Sequence, residues 1–396
     1  MGLPNLDIII GEGGLDRPLA DKDHISGLIS YQPNATLPAG FGTDRIKKVF
    51  SLTEAVALGI VAGSADFGVI HYHVQEYFRI QPKGELWIYI VDASAIIFTA
   101  YNFADVSVLQ LEAEGEIRQL GVIQLQAAFA VANVTALQAE AASLRADSQP
   151  LSIILCPDIS GTADLSTLTD LRALTDSLVS VVIGEDGGAE GAALAVSTSA
   201  SVTTLGATLG AVSLANVNES IAWIQKFNLS NGTELEIAAF ANGDLVKSKA
   251  TSFLDALNDK GYIFLRKFTK SGLTGTFHND SPTAIAVTSD FAFIENNRTI
   301  DKASRGIRKF VLPELNSPLI VNADGSLFEE TVAVFTSLTS RALEEMERNQ
   351  EISAFEVTID PSQNVLSTST LKVTVKIVPV GVARAIEFTI GYALNI

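Results

Sequence analysis

Residues 152–183 read SIILCPDISGTADLSTLTDLRALTDSLVSVVI, and this stretch decides the fold class. Ser152–Cys156 and Leu178–Ile183 are short, unbroken apolar runs, the pattern of strands buried on both faces. Between them, Leu165, Leu168, Leu171 and Leu174 predict a helix over Asp164–Ser177. A strand–helix–strand unit of this length implies a parallel strand pair, hence a mixed α/β chain.

Working outward, residues 187–215 are rich in Gly, Ala, Ser and Thr. Leu205, Leu209 and Val212 keep helical spacing there, which predicts helices packed closely through small residues. Val131–Asp147 reads as an alanine-rich helix. Residues 44–60 read as helical through Val49, Leu52, Val56 and Ile60. Val69–Val74 and Leu86–Val91 read as strands. Towards the C-terminus, Ser252 with Asp255 and Ser326 with Glu329 have capping-box spacing, the second opening a long helix to about Gln350. That helix carries a stripe of Phe328, Val332, Phe335, Leu338, Ala342 and Met346. Tyr262–Lys267, Ala284–Val287 and Leu371–Val378 read as strands, and Asp301–Leu315 as a basic amphipathic helix.

The 396 residues suffice for two or three domains with substantial cores. A formal net charge of −18, from 45 acids and 27 bases, argues against a nucleic-acid partner, which requires clustered Lys and Arg. The single cysteine, Cys156, excludes an intramolecular disulfide and suits a reducing compartment. MGLPNLDIII lacks the features of a signal peptide, and the most apolar window, Leu86–Tyr101, is interrupted by Asp92 and too short to span a bilayer. No direct membrane insertion is expected.

Enzymatic readings are weak. The loop GEDGGAEG at 184–191 follows a strand, where a phosphate cradle would sit. It lacks the G-x-G-x-x-G spacing, and Glu185, Asp186 and Glu190 would repel phosphate, so it reads as a solvated loop. His71 and His73, placed on one face of a strand, form a pair too small for a structural metal site. No G-x-S-x-G nucleophile turn accompanies them. The expectation is a non-enzyme without cofactor or metal. The alternative is a soluble α/β enzyme or nucleotide-binding protein using residues 150–215.

The chain closes on RAIEFTIGYALNI, 384–396. Ile386, Phe388, Ile390, Tyr392 and Leu394 alternate with small or polar residues at the strand period. An apolar strand here requires a sheet to join, in its own chain or in a neighbour's. Near the other end, Leu6, Ile8 and Ile10 form a second short strand before Gly11, Gly13 and Gly14. Burying the five large side chains contributes at most on the order of 7–15 kcal/mol. Association costs about 4–15 kcal/mol, so one arm roughly breaks even, whereas two per subunit make a lattice cooperative.

Three features together resemble the contractile tail sheath proteins of phages and related injection machines. They are the order of segments from NNRTIDKASRGIRKFVLPEL (296–315) to VPVGVARAIEFTIG (378–391), the small-residue run GATLGAVSLANVNESI (206–221), and the strand-like arms at both termini. The resemblance is strongest over 250–396. It implies a structural subunit polymerising around an inner tube and contracting to drive that tube through a membrane. The implied division is an N-terminal arm (1–20), an outward-facing α/β region (21–248), an inner domain (249–380) and a C-terminal arm (381–396). It further implies six-fold rings of identical subunits, an inner tube protein, and baseplate and terminator partners. Assembly in a bacterial cytoplasm, into a virion tail or injection particle, goes with this. Leu6, Ile8, Ile10, Ile386, Phe388, Ile390 and Tyr392 become inter-subunit strand residues, with Gly13, Gly14 and Gly381 as hinges. Glu344, Glu345 and Glu347 are expected to face the tube. A tube or baseplate protein is the further alternative.

Overall fold

The computed structural model describes residues 22–270 and 272–392. Leu6, Ile8, Ile10, Gly13 and Gly14 therefore lie outside the described residues, as does Leu394.

Among the described residues the main sheet has seven strands, in the spatial order Tyr262–Ile263, Val179–Val182, Ser152–Asp158, Gln119–Ala128, Ile25–Gln32, Glu85–Asp92, Ile46–Val49. All neighbours run parallel except the last pair, where Ile46–Val49 lies antiparallel on the edge. Both faces are covered, as parallel sheets require. On one face Ile29, Leu120, Val122, Ile153 and Val181 meet Val134, Leu137 and Ala141 of the helix Val131–Ala146. On the other, Leu28, Ile88, Ile154, Cys156 and Val182 meet Ile70 and Val74 of the helix Gly68–Ile80, and Leu205, Leu209 and Val212 of the helix Leu205–Leu214.

The parallel pairing of Ser152–Asp158 with Val179–Val182 is present, but no α-helix connects them. Two 3-10 turns, Leu165–Thr167 and Leu171–Ala173, take its place. The leucines recur strictly every third residue, which is the 3-10 period and not the 3.6 of an α-helix. The Asp164 and Asp170 side chains accept from the Ser166 and Arg172 backbone N–H groups, each at 2.9 Å, and cap each turn separately.

Residues 69–74 are also helical, within Gly68–Ile80, and not a strand. This helix is buried over most of its circumference, so its pattern mimics a buried strand. Residues 44–60 divide into the strand Ile46–Val49 and the short helix Leu52–Ala57. The expected close helix packing is realised where Gly206 and Gly210 cross the Gly68–Ile80 helix. A Cβ on Gly206 would stand 2.2 Å from the His73 carbonyl oxygen.

After Ala284–Ile285, which pairs with Thr175–Asp176, the chain builds a smaller layer. Helices Ile294–Val311 and Glu329–Arg348 support the antiparallel pair Ile352–Thr358 and Thr374–Pro379. The first helix begins seven residues earlier than Asp301. Neither expected capping box forms. Ser252 lies inside the helix Thr251–Asp259, and the Ser326 hydroxyl donates to Asp324 at 2.7 Å in the turn before the Glu329–Arg348 helix. The Leu371–Val378 strand is shorter than expected, starting at Thr374.

Candidate functional site

The pair Ile352–Thr358 and Thr374–Pro379 places Phe355 opposite Ile377 and Val357 opposite Val375. These four side chains lie partly buried on Ala303, Ile307, Leu343 and Met346 of the two helices. The opposite face is exposed and carries the cross-strand pair Lys376–Glu356 at 3.2 Å. Among the described residues no third strand joins this sheet, so both edges present unpaired backbone groups. A two-stranded sheet is marginal alone, and open edges are templates for a further strand.

The expected C-terminal strand pairs with nothing in its own chain over its described part. Residues 380–392 have no regular structure. Ile386, Phe388, Ile390 and Tyr392 are all exposed, Phe388 by 82% and Ile390 by 93%. Gly381 has an ordinary φ and open space where a Cβ would stand, so sterics do not require glycine there. Its contribution is backbone freedom.

The arm leaves the body at a rigid root. The Arg384 guanidinium lies 3.4 Å from the centre of the Phe293 ring, its Nε donates to both Asp280 carboxylate oxygens at 3.0 Å, and it forms an ion pair with Glu295. Glu295 is buried, and the Ser281 hydroxyl donates to its second oxygen at 2.6 Å. Burial pushes the Glu295 carboxyl above its usual range, although Arg384 opposes the shift. Arg172 also lies over Phe293, at 5.3 Å, and donates to the Thr283, Ile285 and Ala292 carbonyls.

The start of the described chain is held on the same helix. Asp23 pairs with Arg305 at 2.6 Å and Lys302 at 3.0 Å, and Lys302 also pairs with Glu351 at 2.6 Å. Burial raises the Asp23 carboxyl, but Arg305, Lys302 and Arg298 together outweigh it and hold it below its usual value. Arg298, pushed down to about 10 by burial, donates to the Ala215, Asn216 and Asp23 carbonyls. Glu295, Arg298, Lys302 and Arg305 follow a 3-4-3 spacing that puts them on one helix face. Reading Asp301–Leu315 as merely basic and amphipathic missed this face. The charges recurring at helical spacing from residue 295 were the available signal.

Glu344, Glu345 and Glu347 are exposed on the Glu329–Arg348 helix, and Glu345 and Glu347 border different hollows. Glu345 lines a 210 Å³ hollow with Lys22, Arg118, Lys302, Arg305 and Lys309. Glu347 lines a much larger cleft beneath the arm root.

The GEDGGAEG segment is not a solvated loop at its start. Gly184–Asp186 is a strand paired with Ala238–Phe240, and Glu185 and Asp186 are buried. Burial, with Asp186 alongside, pushes Glu185 up to about 8. Burial and Asp186 also raise Glu234 to about 7. A phosphate would meet carboxyl groups there. His71 and His73 lie on the Gly68–Ile80 helix, not on a strand. His73 is fully buried, pushed down to about 3 by burial, and its Nδ1 accepts from the Gly206 N–H at 3.3 Å. No group of three or more His, Cys, Asp or Glu among the described residues could hold a metal. Cys156 is buried and raised to about 11 by burial, so its thiol is inert. No helix among the described residues is long and apolar enough to cross a membrane.

This architecture is shared with chains of known contractile assemblies. A chain of the anti-feeding prophage baseplate, 6-fold symmetrised, superposes with a TM-score of 0.63 at 14% identity over the full length of both chains. A chain of the PVC sheath complex, from an extracellular contractile injection system in the contracted state, gives 0.58 at 13% identity, covering 100% of this chain and 99% of that one. The anti-feeding prophage baseplate in the contracted state gives 0.57 at 13% identity, over 99% and 98% of the two chains. The chain belongs to the DUF2586 family, whose N-terminal domain matches residues 21–282 and whose C-terminal domain matches residues 290–396. No curated protein matches it in sequence.

Proposed function

We propose that this chain is a structural subunit of a contractile tail sheath, polymerising around an inner tube and contracting to drive the tube through a target membrane. The observation that carries this reading is the juxtaposition, within one small layer, of an open-edged two-stranded sheet and an exposed apolar arm. Each lacks what the other offers. An arm from a second copy would add a strand to the sheet, with backbone hydrogen bonds giving affinity and alternate side chains giving register. The likeness in fold to chains of contractile assemblies supports the same reading. The N-terminal strand Leu6–Ile10, with Gly13 and Gly14 as hinge, is proposed as the second exchanged arm. Six-fold rings, an inner tube protein, and baseplate and terminator partners complete the proposal, with assembly in a bacterial cytoplasm.

Deleting residues 386–396, which leaves the Arg384 root in place, tests it. The truncated subunit is expected to keep its folded spectrum and cooperative melt while forming no tubes or rings by negative-stain electron microscopy. Unfolding of the C-terminal layer on truncation would show instead that the strand belongs to its own chain. A second reading, a baseplate subunit, is favoured by the likeness to chains of the anti-feeding prophage baseplate. Closed single rings in the same micrographs, in place of extended tubes, would select it.

A further inference from the structure

Beneath the arm root lies a cleft of about 1490 Å³ between the main body and the C-terminal layer. It exceeds the about 300–1,000 Å³ of ordinary small-molecule pockets, so its size suits a peptide segment. Its walls include Trp223, Phe268 and Val287, of which Trp223 and Val287 are strongly exposed. Arg266 stacks on Phe268 at 5.1 Å and has no acidic partner among the described residues. Ile386 of the arm already forms part of the lining. The residues just beyond it, Phe388, Ile390 and Tyr392, project into solvent.

We propose that in the unassembled chain residues 387–392 fold back into this cleft, covering Trp223, Phe268 and Val287 with Phe388, Ile390 and Tyr392 and bringing Glu387 to Arg266. Two exposed apolar surfaces on one chain are tethered at high effective concentration, so closure does not pay the cost of bringing two molecules together. Six extended residues reach roughly 20 Å, and with Arg384 pinned to Glu295 only the segment beyond the root has to turn. The arm is thereby kept from joining an open sheet edge before the proper neighbour arrives. Shielding is a property of the single chain and holds whatever strand the arm later joins. Only its effect on assembly rests on the function proposed above.

The test is a disulfide trap at a concentration where the chain is monomeric. Phe388→Cys with Val287→Cys is compared with Phe388→Cys and Val196→Cys, the latter position being exposed but outside the cleft. The native Cys156 is buried and stays silent. The cleft pair is expected to give several-fold more intramolecular disulfide than the control. Yields equal to the control, or cross-linked dimers only, would overturn the proposal, the dimers by showing that the cleft takes a neighbour's arm. Independently, deleting residues 387–396 should shift tryptophan emission to the red as Trp223 gains water. Unchanged emission counts against a covered cleft, whether or not the truncated chain assembles.

Discussion

Gly206 shows how one missing side chain positions a layer. With a Cβ due to stand 2.2 Å from the His73 carbonyl oxygen, Gly206→Ala must push the Leu205–Leu214 helix off its neighbour. The expected loss is about 1–3 kcal/mol, as for other overpacked cores, read as a lowered melting temperature. Arg384 acts at the opposite extreme of polarity. Arg384→Ala removes the cation facing a buried Glu295 carboxyl. It should cost about 1–3 kcal/mol and open residues 380–384 to limited proteolysis. A variant as protease-resistant as the native chain would show that the root is held elsewhere. The close approach at Gly206 was legible in the sequence as a small-residue run with leucines at helical spacing. The role of Arg384 was not, because a single arginine ahead of an alternating strand carries no mark of its distant partners Asp280 and Glu295.

At the scale of elements, the parallel pair Ser152–Asp158 and Val179–Val182 was readable because both runs are apolar on both faces. The central strands Ile25–Gln32 and Gln119–Ala128 were not, because Ser26, Gly27, Ser30, Gln119, Gly121 and Gln124 break their apolar runs. The connecting leucines misled because their three-residue period was assigned to the commoner helix. Capping boxes misled in the other direction. Ser51 and Glu54 form a variant of one, with the Ser51 hydroxyl accepting from the Glu54 N–H at 3.2 Å and Glu54 accepting at 2.7 Å from the N–H of Phe50, the residue before the cap. The two expected boxes do not form, since side-chain spacing does not reveal where the backbone turns helical. The Glu329–Arg348 helix carries a prediction of its own. On the proposed sheath reading, with Glu344 and Glu347 facing a tube, Glu344→Lys with Glu347→Lys should weaken coating of purified tubes, more so at low salt than at high, because exposed charges are screened within about 8–10 Å. Coating equal to the native protein at every salt concentration would remove this helix from the tube contact. Glu345, beside Arg305 and Lys309, serves as the comparison site.

For the whole molecule, the acid clusters set the pH response. Glu185 and Glu234 hold protons in the folded state, at about 8 and about 7, that the unfolded chain releases near 4.5. Their contribution is full below 4.5 and is lost as pH rises through about 8. Asp23 is shifted the opposite way, so its contribution is present above the ordinary aspartate value and lost below it. Thermal melts should therefore show lower stability at pH 9 than at pH 6, and Glu185→Gln should flatten that slope. An unchanged slope would mean that these carboxyls are already ionised in the folded chain. None of this was legible in the sequence, where GEDGGAEG reads as a solvated loop. The antiparallel pairing with Ala238–Phe240, about fifty residues away, and the bridge from Glu185 to Thr203 bury its start.

The helix Ile294–Val311 holds Arg384 through Glu295 and Asp23 through Lys302 and Arg305. Glu295 lies seven residues before Lys302 and ten before Arg305, roughly 10–15 Å along the axis. Tension applied at Arg384 would therefore have a short path to Asp23 along one helix, beside the longer paths that run through Asp280 and the seven-stranded sheet.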